Sequence, residues 1–432
     1  MKGFAARRIV TCDDAGVVDD GVVVADGERV VYVGPRAGAP PGALIEDAGD
    51  RVITPGLIDA HTHACWVGSR HAEYAARAAG RDYRDIARAG GGILSTHRAV
   101  TSASEDELAD ALEARLRRMA TLGVTTVEVK SGYGLEAAGE RKQLAAIARA
   151  AAKPDVPHVV PTFLALHALP PSVAPSADVP SGGWSTPEGR DDERRQAYVR
   201  IAVDLVVEVA RERLARFVDA YVDEDAFGVS EARAVFEAAR VHGLGVRVHA
   251  GQFADLGAAE LAASFGAASA DHLEHVSGQG IAGLASAGVA AVMLPVASLS
   301  LGQPPPPVGA LRAAGVPLVV ASDANPGTSP TESLPLAMAL AVSLYGLTPD
   351  ETMVAVTRNA AAALRLVDRG TLRVGARADL VVWDLPHEHA IVQPWGVAKT
   401  YAVVVGGRVV ARRATPPEDA LSAPRLLRNP SS

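Results

Sequence analysis

At 432 residues the chain is long enough for one large core or two to three ordinary domains, and 48% hydrophobic with 21% charged residues is the balance of a soluble globular protein. A formal charge of −8, from 42 basic and 50 acidic residues without long like-charge blocks, argues against a nucleic-acid partner and against an anionic membrane surface. Two cysteines, Cys12 and Cys65, exclude a disulfide scaffold; with no signal-peptide core and no apolar segment long enough to span a bilayer, a cytoplasmic location is expected.

Residues 1–53 read as short strands. "GVVVADGERVVYVG" is two β-branched runs joined at Asp26-Gly27, a hairpin signal. From 54 to 365 apolar strand candidates alternate with helical stretches. The eight candidates are "LIDAHTH", "GVTTVEVKSG", "HVVPTFLALH", "RFVDAYVDE", "GVRVHAG", "AASADHLEH", "VAAVMLP" and "GVPLVVASDANPG". Between the first two, Ser104 and Glu107 predict a capping box, Leu108, Leu112, Leu116 and Met119 one apolar face, and Gly123 the stop. A second helix is predicted over 230–240, ended by Gly243. Long loops follow the third strand ("PPSVAPSADVPSGGWSTPEGRDDERR") and the seventh ("GQPPPP"), and both are expected at the surface. Over 366–414 strand texture returns in "GTLRVGARADLVVWDL" and "TYAVVVGGRVVARR", which turns at Gly406-Gly407. The tail 415–432 is expected to be disordered.

The fold class expected is therefore α/β: a distorted (β/α)8 TIM barrel plus a small β-sandwich domain built from the two ends of the chain. A doubly wound open sheet is the alternative. In a barrel, chemistry gathers at the C-terminal strand ends, and there the polar residues fall: His61 and His63, Lys130 and Tyr133, His167, Asp223, His249, His272, Asp323. Residues i and i+2 of a strand share a face, so His61 and His63 would both enter the barrel mouth. Asp323 follows an apolar run and is costly to bury unless paired or metal-bound. Three histidines and an aspartate suit zinc or iron(II), and Asp323 could also take the proton of a water acidified by the ion. The competing reading is a set of unrelated polar residues at loop starts.

"PGLIDAHTH", the strand-end His249, "SADH" and "SDANPG" resemble the amidohydrolase superfamily, and "GTLRVGARADLVVWD" resembles its C-terminal β segment. More closely, "HTHACWVGSRHAEY", "YRDIARAGGGILSTHRA", "GVTTVEVKSGYGL", "TFLALHALP", "AELAASFGAASADHLEH" and "SDANPGTSPTESL" are similar to the imidazolonepropionase family, from about Arg51 to about Leu385. The resemblance implies a metal-dependent hydrolase of a cyclic amide C–N bond, acting on 4-imidazolone-5-propanoate in histidine degradation. It implies His61, His63, His249 and Asp323 as ligands of one divalent ion, because the fourth strand lacks the lysine that bridges two metals in some superfamily members. Arg70 matches the arginine that holds the substrate carboxylate, with Tyr83 a further candidate for the propionate tail. Tyr133 and His167 match substrate-contacting residues, and Asn325, Gly327 and Thr328 match a substrate loop. His272 matches a histidine near the attacking water, and Gln252 a position held by glutamate or glutamine. Asp323, His272, His167 and Gln252 are thus the catalytic candidates, with His167 or the metal stabilising the oxyanion. A homodimer is also implied.

The chain departs from the family pattern in "HAGQF", in "PVASLSLGQPPPP" and in the long loop after His167. Two alternatives therefore stand beside the main reading. One is another cyclic amide hydrolase or deaminase on the same barrel. The other is an inactive metal-binding scaffold, since fold does not imply function.

Overall fold

The computed structural model describes all residues except 83–84, 87–88, 174–189, 225 and 414–432, and excludes the side chains of 190–192. Tyr83, most of the long loop after His167 and the expected disordered tail lie outside the described residues.

The N-terminal segment forms Lys2–Val10 (β1), Val17–Asp26 (β2), Arg29–Pro35 (β3), Leu44–Asp47 (β4) and Val52–Pro55 (β5). Asp26 pairs with Arg29, and Gly27 takes the left-handed conformation (φ +54°) that a two-residue hairpin turn requires. Eight parallel barrel strands follow: Leu57–Asp59 (β6), Val124–Lys130 (β7), His158–Leu166 (β8), Phe217–Val222 (β9), Gly245–Ala250 (β10), Ser269–His272 (β11), Ala290–Met293 (β12) and Leu318–Val320 (β13). The chain then returns through Leu380–Trp383 (β14), Thr400–Val405 (β15) and Arg408–Arg412 (β16).

The two ends of the chain build one sheet, in the order β16-β15-β14-β5-β1-β2-β3, with β4 added beside β1. The joint is the antiparallel β14–β5 pair, where Val381 faces Thr54. Its core includes Phe4, Ile9, Val23, Ile53, Leu380 and Val404. A small sheet domain thus forms from segments more than 300 residues apart, because neither end has enough apolar surface to fold alone.

All eight barrel candidates become β6–β13, paired in chain order. That order excludes the open doubly wound sheet. No regular ladder joins β13 to β6. The seam closes instead just beyond the strands, where Asp323 N donates to His61 O and His63 N donates to Ala324 O, both at 3.1 Å. These bonds lock the first and eighth strand ends together at the level of His61, His63 and Asp323.

The helix Glu105–Thr121 has the predicted capping box and buries Leu108, Leu112, Leu116 and Met119. Gly123, at φ +97°, ends it because a Cβ there would also meet the Trp383 ring at 2.8 Å. The helix predicted over 230–240 spans Val229–Val241. Two further helices, His71–Ala78 and Ile93–Ser102, separate the first strand from Glu105–Thr121 and were not predicted. The "GQPPPP" segment does not directly follow β12. Pro295 opens a short helix, Pro295–Leu301, because its fixed φ suits a first helical turn.

Candidate metal centre and substrate cavity

The strand-end histidines meet. His61, His63 and His249 are buried, and each offers a ring nitrogen within 4.8 Å of the others. His249 Nε2 lies 3.2 Å from His63 Nε2, and Asp323 Oδ1 lies 3.6 Å from Nε2 of both His61 and His63. Asp323 reaches in from a left-handed backbone (φ +54°), a conformation that costs an aspartate little.

The protons on these rings can be assigned from their partners. His61 Nδ1 is 2.6 Å from Asp271 Oδ2, and His249 Nδ1 is 3.2 Å from Asp219 Oδ1. A carboxylate only accepts, so both Nδ1 atoms carry hydrogen and both Nε2 atoms present lone pairs. Burial, and then the charges of Lys130 on His61 and of His167 on His63, hold these two imidazoles well below their usual basicity. The Nε2 lone pairs of His61 and His249 therefore face the same space as His63 Nε2 and the Asp323 carboxylate, and His61 Nε2 has no hydrogen-bond partner among the described residues. Three imidazole nitrogens with a carboxylate oxygen fit a divalent metal ion.

Beneath the histidines lies a set of charges that sequence reasoning missed. Lys130 Nζ sits 2.8 Å from both Glu128 Oε1 and Asp219 Oδ2, and 3.9 Å from Asp271 Oδ2. Arg247 Nη2 bonds Asp271 Oδ2 at 3.1 Å and Ala60 O at 2.7 Å. All five side chains are wholly buried. Burial pushes the Asp219 carboxyl up, but His249 and Lys130 outweigh it and hold Asp219 ionised. These carboxylates fix the ring tautomers and orientations of the metal-facing histidines. The signal was available: Glu128, Asp219, Arg247 and Asp271 are charges inside apolar strands, and such charges need one another. Lys130 thus serves as a hydrogen-bond donor within this network.

A cavity opens above the cluster. Arg70, Tyr133, His167, Gln252, His272 and Asp323 all line it, as do Asn325 and Thr328. Arg70 is buried, with Nε and Nη2 on Glu73 Oε2 at 2.9 and 2.8 Å. Gly327 is required beside it, since a Cβ there would stand 2.1 Å from Arg70 Nη1. The close approach that this glycine permits is thus to the arginine. Tyr133 rides on a loop whose amides are held from the following helix. Gln143 Oε1 accepts from Tyr133 and Gly134, and Glu140 accepts from Gly132 and Leu135.

Asn325 and His167, expected to contact substrate, prove to be constrained, as does the strand-end Asp223. Asn325 Oδ1 accepts from Gly327 N and Thr328 N, while its Nδ2 donates to Asp323 O and Thr328 Oγ1, so its side chain shapes the loop. Asp223 accepts from the amides of Glu224, Phe253 and Ala254 and serves the same purpose after β9. His167 Nδ1 donates to Gly132 O at 2.8 Å, and burial drops its pKa to about 3. The neutral ring then presents an Nε2 lone pair, an acceptor, so His167 cannot be the oxyanion donor expected from the sequence. Gln252 Oε1 accepts from Tyr221 OH at 3.0 Å, which leaves its amide N–H2 as the end able to donate. Tyr221, Phe253 and Ile93 also line the cavity and were not predicted. Tyr221 stood in the fourth candidate strand, two residues before Asp223, on the inward face.

The chain is similar to known proteins along most of its length. Residues 52–410 match the model of the amidohydrolase family. The imidazolonepropionase of Caulobacter vibrioides is 45% identical over 397 residues, 91% of this chain and 94% of that protein. Those of Stenotrophomonas maltophilia and Paracoccus denitrificans are 44% and 41% identical, over 93% and 95% of this chain and 95% and 100% of theirs. Among solved structures, N-isopropylammelide isopropylaminohydrolase from Burkholderia multivorans superposes with a TM-score of 0.68 at 22% identity, covering 95% of this chain and 99% of that one. Atrazine chlorohydrolase from Arthrobacter aurescens, solved with zinc, does so with a TM-score of 0.66 at 18% identity, over 95% of each chain. The structural likenesses speak for the fold, and the sequence relatives speak for more: the chain belongs to the amidohydrolase family and, within it, to the imidazolonepropionases.

Proposed function

We propose that the chain hydrolyses 4-imidazolone-5-propanoate to N-formimidoyl-L-glutamate, using one zinc or iron(II) ion held by His61, His63, His249 and Asp323. The observation that carries this reading is the meeting of two chemistries in one cavity: converging imidazole lone pairs and the Arg70 guanidinium, in a chain of this family. When bound, the ion supplies Lewis acidity, which brings the pKa of water towards neutrality. The ring's carbonyl carbon gains the water oxygen, and its bond to the neighbouring ring nitrogen breaks. Asp323 accepts the water proton and delivers it to that nitrogen. His272 orients the water from the end of β11. His167, as an acceptor, receives a ring N–H, and Gln252 donates its amide hydrogens to a ring heteroatom. Arg70 and Tyr133 hold the propionate, a guanidinium being the side chain best shaped for two bonds to a carboxylate.

Burial raises the thiols of Cys12 and Cys65 to about 11 and 12. Both are free, which supports a cytoplasmic location, and no helix among the described residues is long and apolar enough to cross a membrane.

Arg70→Ala separates binding from chemistry. It raises KM by about 100-fold, with kcat reduced less and metal content unchanged, because a charge-assisted bidentate contact contributes about 3 kcal/mol. Steady-state kinetics on freshly generated substrate provides the test. An unaltered KM removes Arg70 from the site. Faster turnover of a cyclic amide lacking the propionate moves the assignment to another hydrolase of the same family.

A further inference from the structure

Beyond the residues already given roles, one buried carboxyl faces the cavity wall from behind. Glu274 lies two residues after His272, and its side chain is fully enclosed. Its Oε1 accepts from Ser298 Oγ at 2.6 Å, and Ser298 Oγ is in turn 2.6 Å from Tyr345 OH. Ser298 has one proton to donate. Given to the carboxyl, it leaves the serine oxygen to accept from Tyr345. Ser298 belongs to Pro295–Leu301 and Tyr345 to the helix Leu334–Tyr345, so Glu274 is fastened to the loops of the seventh and eighth strands.

The other oxygen, Oε2, points at His272. It stands 3.8 Å from His272 Nδ1, and among the described residues neither atom has a hydrogen-bond partner. The backbone is bent to bring them together. His272 and Leu273 both adopt left-handed conformations, φ +80° and +74°, which non-glycine residues keep only when their surroundings enforce it. Here Leu273 N bonds Ala250 O and His275 N bonds Gly251 O, each at 2.9 Å, anchoring the bend to the end of β10. Two unpartnered buried atoms facing each other across a strained turn are slightly beyond bonding distance. In unliganded sites such bonds are often long and tighten when substrate arrives.

The His272 ring faces Glu274 Oε2 through Nδ1, so what its Nε2 can do depends on the tautomer that this contact fixes. Burial raises the Glu274 carboxyl to about 7, which leaves it an acceptor above neutral pH. We propose that Glu274 is a positioning residue for His272: Oε2 takes the Nδ1–H, which keeps the Nε2 lone pair turned to the cavity where the water is oriented. This rests on the role given to His272 above, and Glu274 itself touches neither substrate nor metal.

The test uses the metal-loaded protein at pH 8, labelled with ¹⁵N-histidine, with the His272 signals identified by their loss on His272→Gln. The expected wild-type signature is a single Nδ1–H tautomer. Glu274→Met removes the acceptor at nearly constant volume. It gives mixed tautomers, a kcat lower by about 10- to 100-fold, a KM within about twofold and an unchanged metal content. Glu274→Gln keeps a carbonyl oxygen and recovers most of kcat. Ser298→Ala loosens the carboxylate and shifts kcat the same way by a smaller factor, which serves if Glu274→Met does not fold. An unchanged His272 tautomer in Glu274→Met, or equal impairment of Glu274→Met and Glu274→Gln, overturns the proposal. Should the wild type fail to turn over the imidazolone, the functional reading falls, and the tautomer still decides the role of Glu274.

Discussion

Asp323→Asn lowers turnover by about 10³-fold or more while the protein still binds close to one metal ion per chain. The substitution keeps the shape of the side chain and an oxygen for the ion, and the three imidazoles are untouched. It removes the acceptor for the water proton, and general base catalysis is worth about 10²–10⁴-fold. Burial pushes the Asp323 carboxyl well above the usual range, an effect that a cation beside it opposes. On the proposed mechanism Asp323 would depend on the bound ion for its ionised form and would in turn handle the proton. Kinetics alongside metal analysis of the purified variant provides the check. Full activity with full metal content removes Asp323 from its assigned role.

Lys130→Met has its largest effect on stability. The ammonium lies wholly buried between Glu128 and Asp219, with Asp271 close by. Burial works against its charge, but Asp219 and Glu128 hold it protonated. Replacing it with an apolar chain leaves Arg247, on the Asp271 and Glu128 side, to balance three buried carboxylates, and breaking a buried pair in this way costs about 3–5 kcal/mol. That is a large part of the roughly 5–15 kcal/mol by which a domain is stable. The expected result is a urea midpoint well below that of the wild type, measured on metal-free protein so that ion binding does not mask the loss. Metal affinity falls as well, because Asp219 and Asp271 orient His249 and His61. Equal midpoints would show that the network relaxes without its lysine.

Much of this architecture is written locally. Most barrel strands are short apolar runs with a polar residue at or just beyond the C-terminal end, so both the barrel and the convergence of His61, His63, His249 and Asp323 could be read from position. Capping at Ser104 is equally local. What the chain does not display is pairing across distance. Glu128, Lys130, Asp219, Arg247 and Asp271 each look like an isolated charge in a strand, and only the closed barrel makes them one network. Tautomers are hidden for the same reason. His167 reads as a donor until its Nδ1 is found on Gly132 O, and which end of the Gln252 amide is able to donate is open until Tyr221 is found on its oxygen. Gly327 is intelligible only beside Arg70, from which it is separated by most of the barrel. The helices His71–Ala78 and Ile93–Ser102 are not legible because the apolar periodicity there is short.

The central claim is that a metal ion at the four strand-end residues drives hydrolysis of the imidazolone ring. Its most direct test is turnover of freshly generated 4-imidazolone-5-propanoate before chelation, after chelation, and after zinc or iron(II) is returned. The account predicts activity that chelation abolishes and either ion restores, with N-formimidoyl-L-glutamate as the product. Undiminished turnover by protein shown to be metal-free would contradict it.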